Sequence, residues 1–330
     1  MTGRSLRARV KETPGLRGAL FMAQNGVRAV GARPVVTGRA SARPAPARRL
    51  MAMVRVKDEA RFLPEWLAHH TNVGVEHVVL YDNHSTDDLT GSVGPFVERG
   101  LATVVPWPTI PASPGAHIDF LRRFAPTSEW VAFFDADEFL VERTPGELDR
   151  LLATTTAPAL ALNWRYYGSA GHDAIPAGLV TERFDRADAK DNRHVKVIAR
   201  PDQVVAYRNS HNFYYRRGRL ARATDGRRVF GSFVAPPPQS GLVLNHYVYR
   251  SRQDYERKAR QGFVDASGAR DRARQVDLAE REFTRHNEVS APLPAATLAA
   301  TAARLADLGY PDDLYRARSA PGGAVSGGAR

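Results

Sequence analysis

Asp135, Asp137 and Glu138 interrupt a strongly apolar run, EWVAFFDADEFLV, at residues 129–141. In an extended chain, side chains two positions apart point to the same face, so Asp135 and Asp137 aim together. Two carboxylates that close repel each other unless a cation lies between them. An oxygen-ligated divalent ion, Mg2+ or Mn2+, meets that need and can bridge to a diphosphate. Glu138 could hold a ligand water, act in the chemistry, or charge the start of a helix. A D-x-D triplet is a weak signal alone, and its place at the end of a buried run is what gives it weight.

A second polar group, YDNHSTDD at residues 81–88, follows another apolar run. Asp82 leaves that run at its carboxyl end, where an acid can accept from ribose hydroxyls or a base N–H. Ser85, Thr86 and Asp87 are expected to cap the helix that comes next.

Both groups need parallel strands that end side by side. AMVRVK (52–57) alternates apolar and basic residues as a strand does. Phe62, Leu63, Trp66, Leu67 and His70 then recur at helical spacing, with Pro64 in the first turn and Gly74 as the stop. EHVVLYD (76–82) is apolar enough to be buried on both faces, which completes a βαβ unit with a right-handed crossover. Further strands are expected at 102–107 and in WVAFFD, with helices near 116–125 and 145–153. Shorter strands follow in ALALNWRYY, HVKVIARP and GLVLNHYVY. The fold class is α/β.

Composition sets the outer limits. The 330 residues are 43% hydrophobic and 25% charged, ordinary for a globular chain, and hold no cysteine for disulfide, thiolate or zinc–sulfur chemistry. Residues 1–50 carry eleven Lys and Arg against Glu12 alone, a local +10 of the total +12, so residues 51–330 carry only +2. The basicity belongs to an arm, read as disordered, with anionic lipid or nucleic acid as its conceivable partners. The near-neutral body and the lack of a recognition motif argue against a nucleic-acid-binding protein. A metal-dependent phosphohydrolase or nucleotidyltransferase is the other rival, but neither a G-x-x-x-x-G-K loop nor a tight acid cluster stands in the sequence. The reading is cytoplasmic, with any membrane contact peripheral and made through residues 1–50.

KDEARFLPEWLAHHTNVGVEHVVLYDNHSTD (57–87) followed by WVAFFDADEFL (130–140) resembles the glycosyltransferase group that includes family 2-like bacterial enzymes and family 92. NWRYYGSAGH, TERF, VKVIARP, SHNF, LNHYVYRS and YERKARQG extend the resemblance over about residues 52–262, with Gln261 inserted before the closing glycine and Ala170 where the group shows Asn. The resemblance implies a GT-A (Rossmann-like) mixed sheet flanked by helices. It also implies a metal-dependent, inverting transfer of sugar from a nucleoside diphosphate sugar to a glycan, lipid or protein hydroxyl. Asp135, Asp137 and His246 would bind Mn2+ or Mg2+, with His211 a weaker candidate for the same pocket. Asp82, Asp135, Lys196, Lys258 and Arg260 would bind the nucleotide sugar, and Glu138, His172 or Glu182 would be the catalytic base. Trp164, Tyr166 and Tyr167 could stack on an acceptor sugar. The expected organisation is an arm at 1–50, the transferase domain at 51–262, a helical C-terminal extension at 263–318 and a flexible tail at 319–330.

Overall fold

The computed structural model describes residues 46–110, 112–248, 250–261 and 283–315. Nearly all of the basic arm, the tail at 319–330 and residues 263–282 of the C-terminal extension lie outside the described residues.

The first half alternates strand and helix: β1 (Arg48–Val56), α1 (Leu63–Asn72), β2 (His77–Asp82), α2 (Leu89–Glu98), β3 (Ala102–Pro106), α3 (Gly115–Arg123) and β4 (Ser128–Phe133). β1 pairs in parallel with β2 and β4, and β2 with β3. Residues of β1 sort by the period of two. Leu50, Ala52, Val54 and Val56 pack under α1 and α2, while Met51 and Met53 pack with Phe120 of α3 on the other face. A strand covered on both faces reads as a continuous apolar run, which is why these elements were legible. Gly74, at φ +102°, ends α1 where the left-handed conformation requires glycine.

The second half comprises β5 (Glu138–Glu142), α4 (Glu147–Thr154), β6 (Ala159–Tyr166), α5 (Val180–Arg183), β7 (Arg186–Ala187), β8 (Val195–Ala199), β9 (Val204–Asn209), β10 (Asn212–Tyr215), β11 (Arg222–Ala223), β12 (Leu242–His246), α6 (Arg252–Gln261), β13 (Val289–Ser290), α7 (Ala295–Asp307) and α8 (Asp312–Tyr315). The large sheet runs β3-β2-β1-β4-β8-β6-β12-β5, with β11 also on β6. β8 is antiparallel to both β4 and β6, β6 and β12 are parallel, and β12 and β5 are antiparallel. The sheet is therefore mixed. Leu305 and Leu308, from α7 and its C-terminus, enter the core shared with α1.

β5 is the element the sequence concealed. Only residues 134–137 link β4 to β5, yet β8, β6 and β12 stand between them in the sheet. A flat sheet would put them about 19 Å apart, beyond the roughly 17 Å this link can reach. The sheet therefore curls, and the D-A-D segment bridges the ends of its two flanks. The outer edge of β5 is paired by side chains of α1. Trp66 Nε1 donates to Glu138 O at 2.7 Å, His69 Nε2 donates to Leu140 O at 2.7 Å, and His70 Nε2 accepts from Leu140 N at 3.2 Å. Edge backbone groups need partners when buried, and helix α1 supplies them. No helix among the described residues is long and apolar enough to cross a membrane.

Candidate active site

The carboxyl ends of β1, β2 and β4 open on the same side, the location at which open α/β sheets bind ligands. The turn after β1 is braced by the segment after β2. Asp58, at φ +53°, accepts from Thr86 N and Oγ1 at 2.6 and 2.9 Å, and Ser85 Oγ accepts from Asp58 N at 3.0 Å. Asp87 accepts from Ala60 N at 2.8 Å. The expected capping by Ser85, Thr86 and Asp87 is thus corrected: they bind the neighbouring turn, and Asp88 is the cap, accepting from Gly91 N at 3.0 Å. Asp82 is partly exposed at the end of β2, with Oδ1 accepting from Ser85 N at 3.0 Å.

Asp135 and Asp137 each face a cation. Lys196 Nζ donates to Asp135 Oδ2 at 2.7 Å, and Arg55 lies 3.7 Å from Oδ1. Lys258 Nζ donates to Asp137 Oδ2 at 3.2 Å, and His246 Nε2 lies 3.3 Å from Oδ1. Burial pushes both carboxyls up, but Lys196 and Arg55 on one, and Lys258 and His246 on the other, outweigh it and hold both below the usual range. Burial likewise pulls His246 down, and Asp137 more than offsets it, leaving the imidazole more basic than usual.

Glu138 is sealed from solvent. Its Oε2 accepts from Asp135 N at 3.1 Å and its Oε1 lies 3.5 Å from Lys196. Desolvation raises its carboxyl to about 8 against the pull of Lys196. The expectation that it serves as catalytic base is corrected on this ground: a carboxylate with no exposure cannot meet an acceptor, and this one closes the D-A-D turn. Lys196, also buried, is a counter-ion to that turn.

Glu59 and Arg250 were missed. Arg250 lies with its Cζ 3.5 Å from the centre of the Phe62 ring, donates to both Glu59 oxygens at 3.1 and 2.8 Å, and donates to Asp254 at 3.0 Å. Lys258 lies 3.1 Å from Glu59 as well as reaching Asp137. A chain of alternating charges, Asp137–Lys258–Glu59–Arg250–Asp254, thereby ties α6 to the turn after β1. Both missed residues stand within matched segments, KDEARFL and LNHYVYRS, but nothing in their spacing sets them apart.

Trp164 and Tyr166 pack beside His246, at 4.6 and 5.2 Å between ring centres, whereas His172 and Glu182 stand on other segments. His172 sits in the loop after β6, its ring against Phe184. Glu182 is exposed on α5, whose amides at Val180 and Thr181 are held by Glu65 at 2.6 and 2.9 Å. His172 O accepts from Arg252 N of α6 at 3.3 Å, but among the described residues neither side chain bonds to the carboxylate cluster. His211 is half-buried with its ring edge against Trp164, with Nδ1 donating to Val195 O at 2.9 Å and its basicity lowered by desolvation to about 4. Trp164 and Tyr167 are buried, whereas Tyr166 is partly exposed. The side chain of Arg260 lies outside the described residues.

Among the described residues no three acids or histidines gather into a ready cation site. Of the expected metal set, Asp137 and His246 fit a divalent ion: a carboxylate oxygen and an imidazole nitrogen already face each other, and diphosphate oxygens and water commonly complete such a shell. Asp135 is instead committed to Lys196 and Arg55.

Residues 52–230 match the family model of glycosyltransferase family 92. The chain belongs to glycosyltransferase family 92. Family 92 proteins of Ricinus communis and Oryza sativa subsp. japonica are 26% and 28% identical to it over 213 and 204 residues. Those alignments cover 62% and 59% of this family 92 chain, but 36% and 32% of the relatives, so it spans about a third of their length. Its mixed sheet with flanking helices is the arrangement the sequence resemblance implied. Among solved structures, S. aureus TarS (residues 1–349) in complex with UDP aligns at a TM-score of 0.38 and 13% identity, covering 78% of this chain and 70% of that one. Glucosyl-3-phosphoglycerate synthase from Mycobacterium tuberculosis, in complex with Mn2+, UDP and glucosyl-3-phosphoglycerate, aligns at 0.25 and 14% identity, covering 45% and 49%.

Proposed function

We propose that this chain binds a nucleoside diphosphate sugar at the carboxyl edge of β1, β2 and β4 and transfers the sugar, with inversion, to an acceptor hydroxyl on a glycan, lipid or protein. The observation that carries the reading is the surrounding of Asp137, with His246 at 3.3 Å from one oxygen and Lys258 at 3.2 Å from the other. One acid there has both an imidazole suited to share a divalent ion and an ammonium suited to a phosphate.

Asp137 and His246 would hold Mn2+ or Mg2+, and the ion when bound would neutralise the leaving diphosphate. Lys258 and Arg55, at the rim of the cluster, would add positive charge on the same side. Asp82 keeps a carboxylate oxygen for the nucleoside at the end of β2. Lys196 and Glu138, both sealed, hold Asp135 and the D-A-D turn in position. The expected contact of Arg260 with phosphate stands as part of this proposal.

The test is release of nucleoside diphosphate from UDP-glucose, UDP-galactose, UDP-N-acetylglucosamine and GDP-mannose, each with Mn2+, with Mg2+ and with chelator. Release from at least one donor, lost with chelator and in Asp137→Ala, is the expected result. No release from any donor, together with no binding of UDP or GDP under any metal condition, would refute the proposal.

A further inference from the structure

We propose that the cavity beside Tyr166 is the acceptor subsite of this enzyme and that His286, held by Asp188, takes the proton of the acceptor hydroxyl. The inference rests on the glycosyl-transfer reading above and names a group that reading leaves unassigned.

A cavity of about 970 Å³ opens between the end of β6 and the segment that leads into β13. Its walls include Tyr166, Asp188, Lys190, Asn192, Arg285 and His286. That size and that polar lining suit a sugar unit with several hydroxyls. Tyr166 is the wall shared with the carboxylate cluster: its ring lies 5.2 Å from that of His246 and 4.6 Å from that of His286. Those two ring steps put His286 within 10 Å of His246.

His286 Nδ1 donates to Asp188 Oδ1 at 2.8 Å. That bond places the ring proton on Nδ1 and leaves Nε2 as the nitrogen to take the acceptor's proton. His286 adopts φ +62°, a conformation that residues other than glycine rarely take. The surroundings hold it there. Asn287 Oδ1 accepts from Ala170 N at 2.8 Å, Asn287 O accepts from Arg186 at 2.9 Å, Glu288 accepts from Ala189 N at 3.0 Å, and β13 pairs with β7. Backbone strain that is over-determined by neighbours is a feature of functional positions. Of the three bases expected from sequence, Glu138 is sealed, and neither His172 nor Glu182 lines this cavity.

The step balances. The acceptor O–H gives its proton to Nε2, and the oxygen pair forms the bond to the anomeric carbon. The carbon–oxygen bond to the diphosphate breaks, and the diphosphate leaves with that electron pair.

The experiment uses the full chain and water as the acceptor. UDP and GDP affinities are measured for wild type, His286→Gln and Asp188→Asn, alongside the rate of diphosphate release from the same four sugar nucleotides. The assignment predicts unchanged nucleotide affinity in both variants, with release about 100-fold slower or more in His286→Gln and slowed, less severely, in Asp188→Asn. Unchanged affinity is also the check that each variant is folded. Release within threefold of wild type in either variant would overturn the assignment. So would a wild type that binds nucleotide but releases none, because a base beside the anomeric carbon would activate water. A wild type that binds neither nucleotide would instead defeat the underlying glycosyl-transfer reading.

Discussion

Lys196 Nζ stands 2.7 Å from Asp135 Oδ2, and only 2% of the lysine side chain meets solvent. The same ammonium lies 3.5 Å from Glu138 Oε1, so one buried cation serves two acids of the D-A-D-E segment. Removing one partner of a buried ion pair leaves an uncompensated charge. Lys196→Met should therefore cost about 3 kcal/mol, the lower end of the usual range because Asp135 keeps Arg55. Thermal unfolding checks this, and an unchanged midpoint would show that the pair holds nothing in place.

The clamp of α1 on β5 makes a second prediction. Trp66→Phe keeps the aromatic packing and removes the donor to Glu138 O, so stability should fall by about 1–3 kcal/mol. Because β5 begins at Glu138, nucleotide affinity should weaken with it, although Trp66 touches no proposed ligand. Urea unfolding and nucleotide titration of the same variant measure the two effects, and intact affinity in a destabilised variant would uncouple α1 from the site.

Acid should destabilise this fold in a defined window. Burial holds His69 at about 4 and His211 at about 4, and it holds His70 and His117 well below the ordinary value of 6.5. Between pH 6.5 and 4 the unfolded chain binds protons at these positions and the folded chain does not. Their contribution is therefore present above pH 6.5 and lost as the pH falls toward 4. His69 alone is worth on the order of 3 kcal/mol across that range. Urea midpoints at pH 7, 6 and 5 should decline steadily, and less steeply in His69→Gln. A flat profile would contradict the buried, neutral assignment.

Asp82 and Asp88 are expected to separate binding from stability. Asp88→Ala removes the cap of α2 and should cost about 1 kcal/mol while nucleotide affinity is unchanged. Asp82→Ala should reduce nucleotide affinity roughly tenfold, the loss of one hydrogen bond to a charged group. The reverse pattern would move the nucleoside contact away from β2.

What the sequence disclosed follows from which elements are locally self-evident. β1, β2 and β4 are apolar on both faces, and their carboxyl ends carry Asp58, Asp82 and Asp135, so the parallel half and the acids along its edge could be read directly. β5 could not, because Glu138 to Glu142 reads as a continuation of the run before it. Only the pairing with β12 and the side chains of α1 make it a separate strand. Asp88 was passed over as a cap because Ser85, Thr86 and Asp87 are equally good caps by type, and only the turn at 58–60 shows where they bond. Asp188 and His286 are 98 residues apart in the chain, and no spacing rule connects them.

The central claim is a metal-assisted nucleotide site at Asp137 and His246. Calorimetric titration of the full chain with UDP and GDP, with and without Mn2+, tests it most directly when Asp137→Ala is run alongside. Binding of one nucleotide that is strengthened by Mn2+ in the wild type and abolished in the variant is the predicted result. Binding that is indifferent to both metal and Asp137, or absent for both nucleotides, would contradict it.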